Sequence, residues 1–251
     1  MEYKLTTNNK IIISYSGRDN YKNALELSAK IGVPLQQKQT TEAICLLVTF
    51  SGLQVIAPQI SKTPFELDLL KLIADFKQQQ DIKKHPLSMA VGLKKRKCLI
   101  YDMTAGFMKD SCLLASLGHR VVAIEKNPIV YEIARSAQEK IKDSVPDLDL
   151  SIINADSIKF INEKPDIILL DPMFPKCKKT ALVKKPMQIL QVLTENDQQN
   201  ESQLMNAALQ NATSKVVVKR PNKGPYINEK KPDLQITNNQ STRFDIYLTS
   251  N

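Results

Sequence analysis

Four apolar runs of this chain each end in an acid. CLIY runs into Asp102, RVVAI into Glu125, LDLSIINA into Asp156 and IILL into Asp171. One aspartate after a strand is an ordinary turn former or helix cap. Four in series, on neighbouring strands, would line one crevice and offer a place for a cation or for amine and hydroxyl donors. Glu125 stands about 20 residues beyond the first of these turns, the spacing at which a carboxylate takes both hydroxyls of a ribose. The fourth run continues as DPMFP. Pro172 fixes the backbone after Asp171 and biases Asp171 itself toward an extended conformation. A carboxylate and a main-chain carbonyl held this way can accept hydrogen bonds from an amine. Phe174 offers a flat face on which a base could stack, worth roughly 1–3 kcal/mol. The same five residues also suit a proline-stiffened turn with Phe174 in the core.

The loop after the first run, TAGFMKD, carries the single glycine Gly106. A pyrophosphate site needs GxGxxG so that backbone can reach the phosphates, which argues against a dinucleotide oxidoreductase. A ligand with ribose and adenine but no phosphate suits this loop better. S-adenosylmethionine is such a ligand, and its ammonium and sulfonium match the carboxylates of Asp102 and Asp171. An exocyclic amine held beside a sulfonium methyl is the geometry of N-methylation.

Positioning these residues requires a particular set of elements. From Cys98 onward, short apolar runs alternate with helical patterns. Strands are expected at 98–102, 120–126, 148–156, 166–171 and 215–221. DSCLLASLG is a helix closed by Gly118, and Asn127-Pro128 places an N-cap and a first-turn proline at the head of another. ESQLMNAALQNAT is a third helix. Continuous apolar strands separated by helices predict a mostly parallel, doubly wound sheet, with ligands beyond the carboxyl ends of its strands. RFDIYLT is expected as a last strand paired with the fifth. Upstream, IIISY, NALELSAKIG and a hairpin about Ser51-Gly52 predict a small α/β domain over residues 1–65. The helical pattern FELDLLKLIADF and a polar stretch make residues 66–95 a connection, leaving 96–251 as the main domain.

The 251 residues allow one sizeable core with a small appended domain. Hydrophobic residues make up 42% and charged residues 24%, an ordinary globular balance. No apolar run approaches a membrane span, and the N-terminus lacks the pattern of a signal peptide, so a cytoplasmic protein is expected. Cys45, Cys98, Cys112 and Cys177 are scattered, without CxxC or histidine at ligand spacing, so reduced thiols and no metal are expected. The net charge of +9 favours a polyanionic partner. Lys176, Lys178, Lys179, Lys184 and Lys185 follow the DPMFP loop, Lys219 and Arg220 close the fifth strand, and Arg243 opens the last. These eight are the expected contacts to RNA phosphates. Lys94, Lys95, Arg96 and Lys97 read as a solvated face.

DMTAGFMKDSCLLASLG, AIEKNP, LLDPMFPKCKKTALVKKPM, VVVKRP and RFDIY together resemble the RsmJ family, over roughly residues 90–250. These are bacterial S-adenosylmethionine-dependent methyltransferases that act on a guanine N2 of 16S ribosomal RNA. The resemblance implies a Rossmann-like class I methyltransferase fold with an antiparallel last strand. It implies S-adenosylmethionine as cofactor and 16S rRNA or the small ribosomal subunit as partner. Carried over by position, cofactor contacts fall at Lys109 and Asp110, Glu125 and Lys126, Asp156 and Ser157, and Asp171. Asp110 thereby takes precedence over Asp102, which remains a lesser candidate. Asp171, Pro172 and Phe174 are the expected catalytic loop. Two departures stand out: Met108 occupies a position where a second glycine is common, and KKHPLSMAVG replaces a glycine-rich segment upstream. The alternatives are an amino methyltransferase acting on DNA adenine N6 or protein glutamine, and a non-catalytic RNA-binding module.

Overall fold

A computed structural model describes residues 10–37, 42–78, 82–92, 97–160, 163–172, 184–195, 197, 200–237 and 241–249. Met173, Phe174, Pro175, Lys176, Cys177, Lys178 and Lys179 lie outside the described residues, as do Lys94, Lys95 and Arg96.

In chain order the elements begin with β1 (Lys10–Tyr15), α1 (Tyr21–Ile31), β2 (Ala43–Thr49) and β3 (Gly52–Ile56). They continue with α2 (Leu69–Gln78), α3 (Pro86–Val91), β4 (Leu99–Asp102), α4 (Lys109–Ser116) and β5 (Arg120–Glu125). Next come α5 (Pro128–Ile141), β6 (Leu150–Asn154), β7 (Ile167–Leu170), α6 (Lys185–Leu193) and α7 (Glu201–Asn211). The last are β8 (Lys215–Pro221), β9 (Leu234–Thr237) and β10 (Thr242–Leu248). Among the described residues no helix is long and apolar enough to cross a membrane.

These elements gather into two compact units that interleave along the chain. One comprises residues 1–68, 127–144 and 178–197, the other 69–126, 145–177 and 198–251.

The first unit holds a three-stranded sheet in the order β1-β2-β3. β1 pairs parallel with β2, and β2 turns back on β3 through the hairpin expected at Ser51-Gly52. Ile12, Ala43 and Cys45 are buried on one face against Leu47 and Ile56. Asn127 caps α5 as its sequence suggests, its Oδ1 accepting from the N–H groups of Ile129 at 2.9 Å and Val130 at 3.1 Å. Glu132 on α5 is buried and neutralised by Lys30 at 2.6 Å and Arg135 at 2.9 Å.

The second unit is built on a seven-stranded sheet in the order β6-β5-β4-β7-β8-β10-β9. β6, β5, β4, β7 and β8 are mutually parallel, while β10 runs antiparallel to both β8 and β9. β7 is buried along its whole length, as a central parallel strand covered on both faces requires. Tyr101, Val122, Ile168, Leu170, Val216 and Val218 pack with Leu204 and Met205 of α7 into one core. Cys98 and Cys112 lie in the interior. The strand order reverses between β4 and β7, so their carboxyl ends open the crevice where ligands of such sheets bind.

Candidate active site

Asp102 is the last residue of β4, paired in register with Leu169 of β7 and Ala123 of β5. Its side chain is buried, and both oxygens are engaged by the protein. Oδ1 accepts from the Thr104 N–H at 3.2 Å and Oδ2 from the Ser111 hydroxyl at 2.5 Å. Burial pushes the Asp102 carboxyl up to about 7, and the neighbouring charges of Asp110 and Asp171 push the same way. Asp102 therefore anchors the loop and the head of α4.

The loop above Asp102 is shaped by two left-handed residues. Gly106 has φ 52° and Met108 φ 56°. The Gly106 N–H donates to Glu125 Oε2 at 2.8 Å, so the loop is fastened to the end of β5 by the acid expected to take a ribose. Met108 stands just before α4 with its side chain fully buried. Its positive φ gives the physical reason why glycine suits this position, and its burial the reason a large side chain can hold it.

Beyond β6, Asp156 turns the chain by accepting from the Ile158 N–H at 3.2 Å. Lys126, Asp156 and Ser157 line a cavity of about 120 Å³ with Ile158, Asn200, Gln203 and Leu204. Three of the expected cofactor contacts thus meet in one recess beside Glu125.

Asp171 follows β7. Its own N–H donates to Thr104 Oγ1 at 2.6 Å, which ties it to the same turn that Asp102 supports. Its Oδ2 accepts from Lys219 Nζ at 2.7 Å, and the same ammonium donates to Asp110 Oδ2 at 2.6 Å. Burial disfavours the charge on Lys219, but Asp110 and Asp171 outweigh it and hold the ammonium above the ordinary lysine range. Burial moves Asp171 upward, opposed chiefly by Lys219. His85, which caps α3 by accepting from the Leu87 N–H, lies in the field of Asp110, Lys109 and Lys219, and burial lowers its pKa.

Four of the eight residues expected to meet RNA phosphates, Lys219, Arg220, Arg243 and Lys185, are engaged by the protein itself. Lys219 is the shared counter-ion of Asp110 and Asp171. Arg220 is 3% exposed, its guanidinium 3.0 Å from Glu201 Oε2 and 3.0 Å from the Pro225 carbonyl. Arg243, directly across the ladder from Arg220, is 5% exposed and grips Asp245 with Nε at 2.9 and 3.1 Å. Its other nitrogens donate to the carbonyls of Pro221, Asn222 and Gly224. A buried guanidinium left unpaired is costly, and both arginines are paired within the protein, chiefly with the loop after β8. Lys185 is occupied within the first unit by Thr63 and Pro64, while Lys184 is exposed at the head of α6.

Thr104, Ser111 and His85 were missed in the sequence, being neither acidic nor at strand ends. Lys219 was legible as a strand-end residue of the same parallel set, but its charge fits a phosphate contact equally well in the sequence.

A doubly wound sheet with this strand order, acids at four strand ends and no phosphate loop defines a class I methyltransferase. The family described as putative SAM-dependent methyltransferase matches residues 26–249. Ribosomal RNA small subunit methyltransferase J of Nitrosococcus oceani is 32% identical over 251 residues, covering 94% of this chain and 98% of its own. The protein of the same name from Desulfotalea psychrophila is 39% identical over 175 residues, 66% of each chain. A SAM-dependent methyltransferase structure from Neisseria gonorrhoeae superposes with a TM-score of 0.70 at 24% identity, over 94% of this chain and 95% of that one. That likeness carries the fold. The chain belongs to the ribosomal RNA small subunit methyltransferase J family of SAM-dependent methyltransferases.

Proposed function

We propose that the chain transfers a methyl group from S-adenosylmethionine to the exocyclic N2 of a guanine in 16S rRNA of the small ribosomal subunit. The observation that carries this reading is Asp171 at the end of β7, tied by its N–H to Thr104 and by its carboxylate to Lys219, with Pro172 next in the chain. The names of the curated relatives point to small-subunit rRNA.

The donor set fits the cofactor. Glu125 is an acceptor for ribose hydroxyls, Asp156 and Ser157 line a recess with Lys126, and Asp110 and Asp171 complement a cationic amino-acid end. Lys109 and Lys126 flank these acids in sequence. When bound, S-adenosylmethionine supplies an electrophilic methyl on its sulfonium.

The chain's own contribution is positioning. The guanine amine is a poor nucleophile because its lone pair is delocalised into the ring. Asp171, with a main-chain carbonyl of the DPMF loop, accepts its hydrogens and favours the geometry that localises the pair. Phe174 supplies the stacking face for a base that must leave its helix to reach the site. Orienting two reactants in this way can contribute several kcal/mol. Lys176, Lys178, Lys179 and Lys184 are the proposed phosphate contacts. The reaction is proposed to occur in the cytoplasm.

The test is transfer of radiolabelled methyl from S-adenosylmethionine to undermethylated small ribosomal subunits, with the product nucleoside identified by chromatography. Label in N2-methylguanosine, lost in Asp171→Ala while cofactor binding persists, is expected. Label in another nucleoside, or undiminished turnover by Asp171→Ala, would overturn the assignment.

A further inference from the structure

Two carboxylates in the cleft share one cation. Asp110 Oδ2 and Asp171 Oδ2 both lie within hydrogen-bonding distance of Lys219 Nζ, at 2.6 and 2.7 Å. The side chains are 15%, 35% and 27% exposed respectively, so the trio is recessed but open to a ligand. Like charges this close in a partly buried site do not both ionise unaided, and a dyad without a cation retains one proton between its members. Lys219 is on β8, a different element from either acid, so its placement is a feature of the sheet and not of a local turn.

We propose that Lys219 is the positioning residue of this site: it takes the place of the shared proton between Asp110 and Asp171 and keeps Asp171 an ionised acceptor. The inference rests on the methyl-transfer reading above. An Asp171 that keeps a proton is a donor on that oxygen and competes with the substrate amine instead of orienting it. A site that must first release a proton before it can receive a cationic ligand binds that ligand with a pH dependence that the lysine removes.

The charged and titratable groups that face Lys219 and its partners come from every neighbouring element. Asp110 and Lys109 stand on α4, Asp102 at the end of β4, Asp171 after β7, and His85 at the head of α3. Of the two lysines among these groups, Lys219 contacts both acids. It is also held firmly charged by them.

Lys219→Met and Lys219→Arg test this in the full chain by two readouts. The first is the pH profile of methyl transfer to small ribosomal subunits. The second is calorimetric binding of S-adenosylmethionine, repeated in buffers of different ionisation enthalpy to count the protons exchanged. The wild type is expected to exchange almost none through the dyad at neutral pH. In Lys219→Met the acid limb of the profile should rise by one pH unit or more, and cofactor binding should release a proton. Lys219→Arg should restore both toward wild type. A Lys219→Met variant whose pH profile and proton count superimpose on wild type overturns the inference while leaving the methyltransferase reading intact. Wild-type protein that binds no S-adenosylmethionine overturns both. Should the methionine variant fail to fold, Lys219→Gln carries the same two readouts with a polar side chain of similar reach.

Discussion

Replacing Asp102 by asparagine converts a buried acid into a group that is neutral at every pH while preserving its shape. In the folded protein the carboxyl is 2% exposed, with a pKa near 7 against an ordinary 3.8. Between those values the native state holds a proton that the unfolded chain has released. Stability contributed by this group is therefore full below about pH 4 and lost as pH rises toward 7. A shift of about 3 units at about 1.4 kcal/mol each sets a ceiling near 4 kcal/mol. The hydrogen bonds from Thr104 and Ser111 favour the charged form and so oppose this rise.

Asparagine can still accept from the Thr104 N–H, and its amide can donate to the Ser111 hydroxyl, so the anchoring geometry has a neutral equivalent. Urea unfolding of both proteins at pH 5 and pH 8 isolates the effect, since the other titrating groups, His85 and His119 among them, cancel in the difference. Asp102→Asn should exceed wild type by about 2 kcal/mol at pH 5 and by about 4 kcal/mol at pH 8, so that the gap widens by roughly 2–3 kcal/mol. A gap that is the same at both pH values would refute the claim that Asp102 is ionised at a cost beneath the site.

Two further substitutions separate competing terms. Met108→Gly relieves a left-handed backbone worth about 1 kcal/mol but removes a fully buried side chain, a change that costs about 2–5 kcal/mol. Net destabilisation of about 1–4 kcal/mol in denaturant melts is expected, despite glycine being the residue the loop conformation favours; stabilisation would mean the methionine packs poorly. Arg243→Met leaves Asp245 buried without its guanidinium and should cost about 3–5 kcal/mol. The salt slope of RNA binding should stay unchanged in that variant, and a flattened slope with unaltered stability would return Arg243 to the RNA interface.

The strand ends were readable because a parallel sheet forces sequence order into spatial order. Once CLIYD, RVVAIE and IILLD are read as neighbouring parallel strands, Asp102, Glu125 and Asp171 must share an edge. The same reasoning reaches Lys219, three residues after the apolar VVV of β8 began, but a lysine beside an arginine in a basic chain also fits a solvated face. Only the position of Asp110 across the cleft decides between them, and that depends on how α4 returns over the sheet. Arg243 and Asp245 are two apart on β10 and so share a face, a pattern visible in RFDIY that marks an internal pair. β9 was missed because LQIT is four residues long, mostly exposed, and exists as a strand only by pairing with β10. The parallel pairing of β1 with β2 was equally hidden, since nothing local to IIISY names its partner. Nor do the helical patterns of 128–141 and 185–193 announce that they cluster with residues 1–68.

The charge of the whole chain and the charge of its cleft have opposite signs, and the two have to be reconciled in one reaction. A net charge of +9 draws a polyanion toward the protein. The cleft holds Asp110, Asp171 and Glu125, as a cationic cofactor requires, and unrelieved they would repel the phosphates that flank any target base. Screening over roughly 8 Å at physiological salt weakens that repulsion at the rim but little inside a recessed site. Lys219 relieves it at the source, since one ammonium shared by two carboxylates halves their net charge without removing either acceptor. On the proposed reaction, a lysine in the interior of an acidic cleft serves both partners at once: it lets the acids remain ionised for the amine they would orient, and it lowers the barrier to the RNA that would bring that amine.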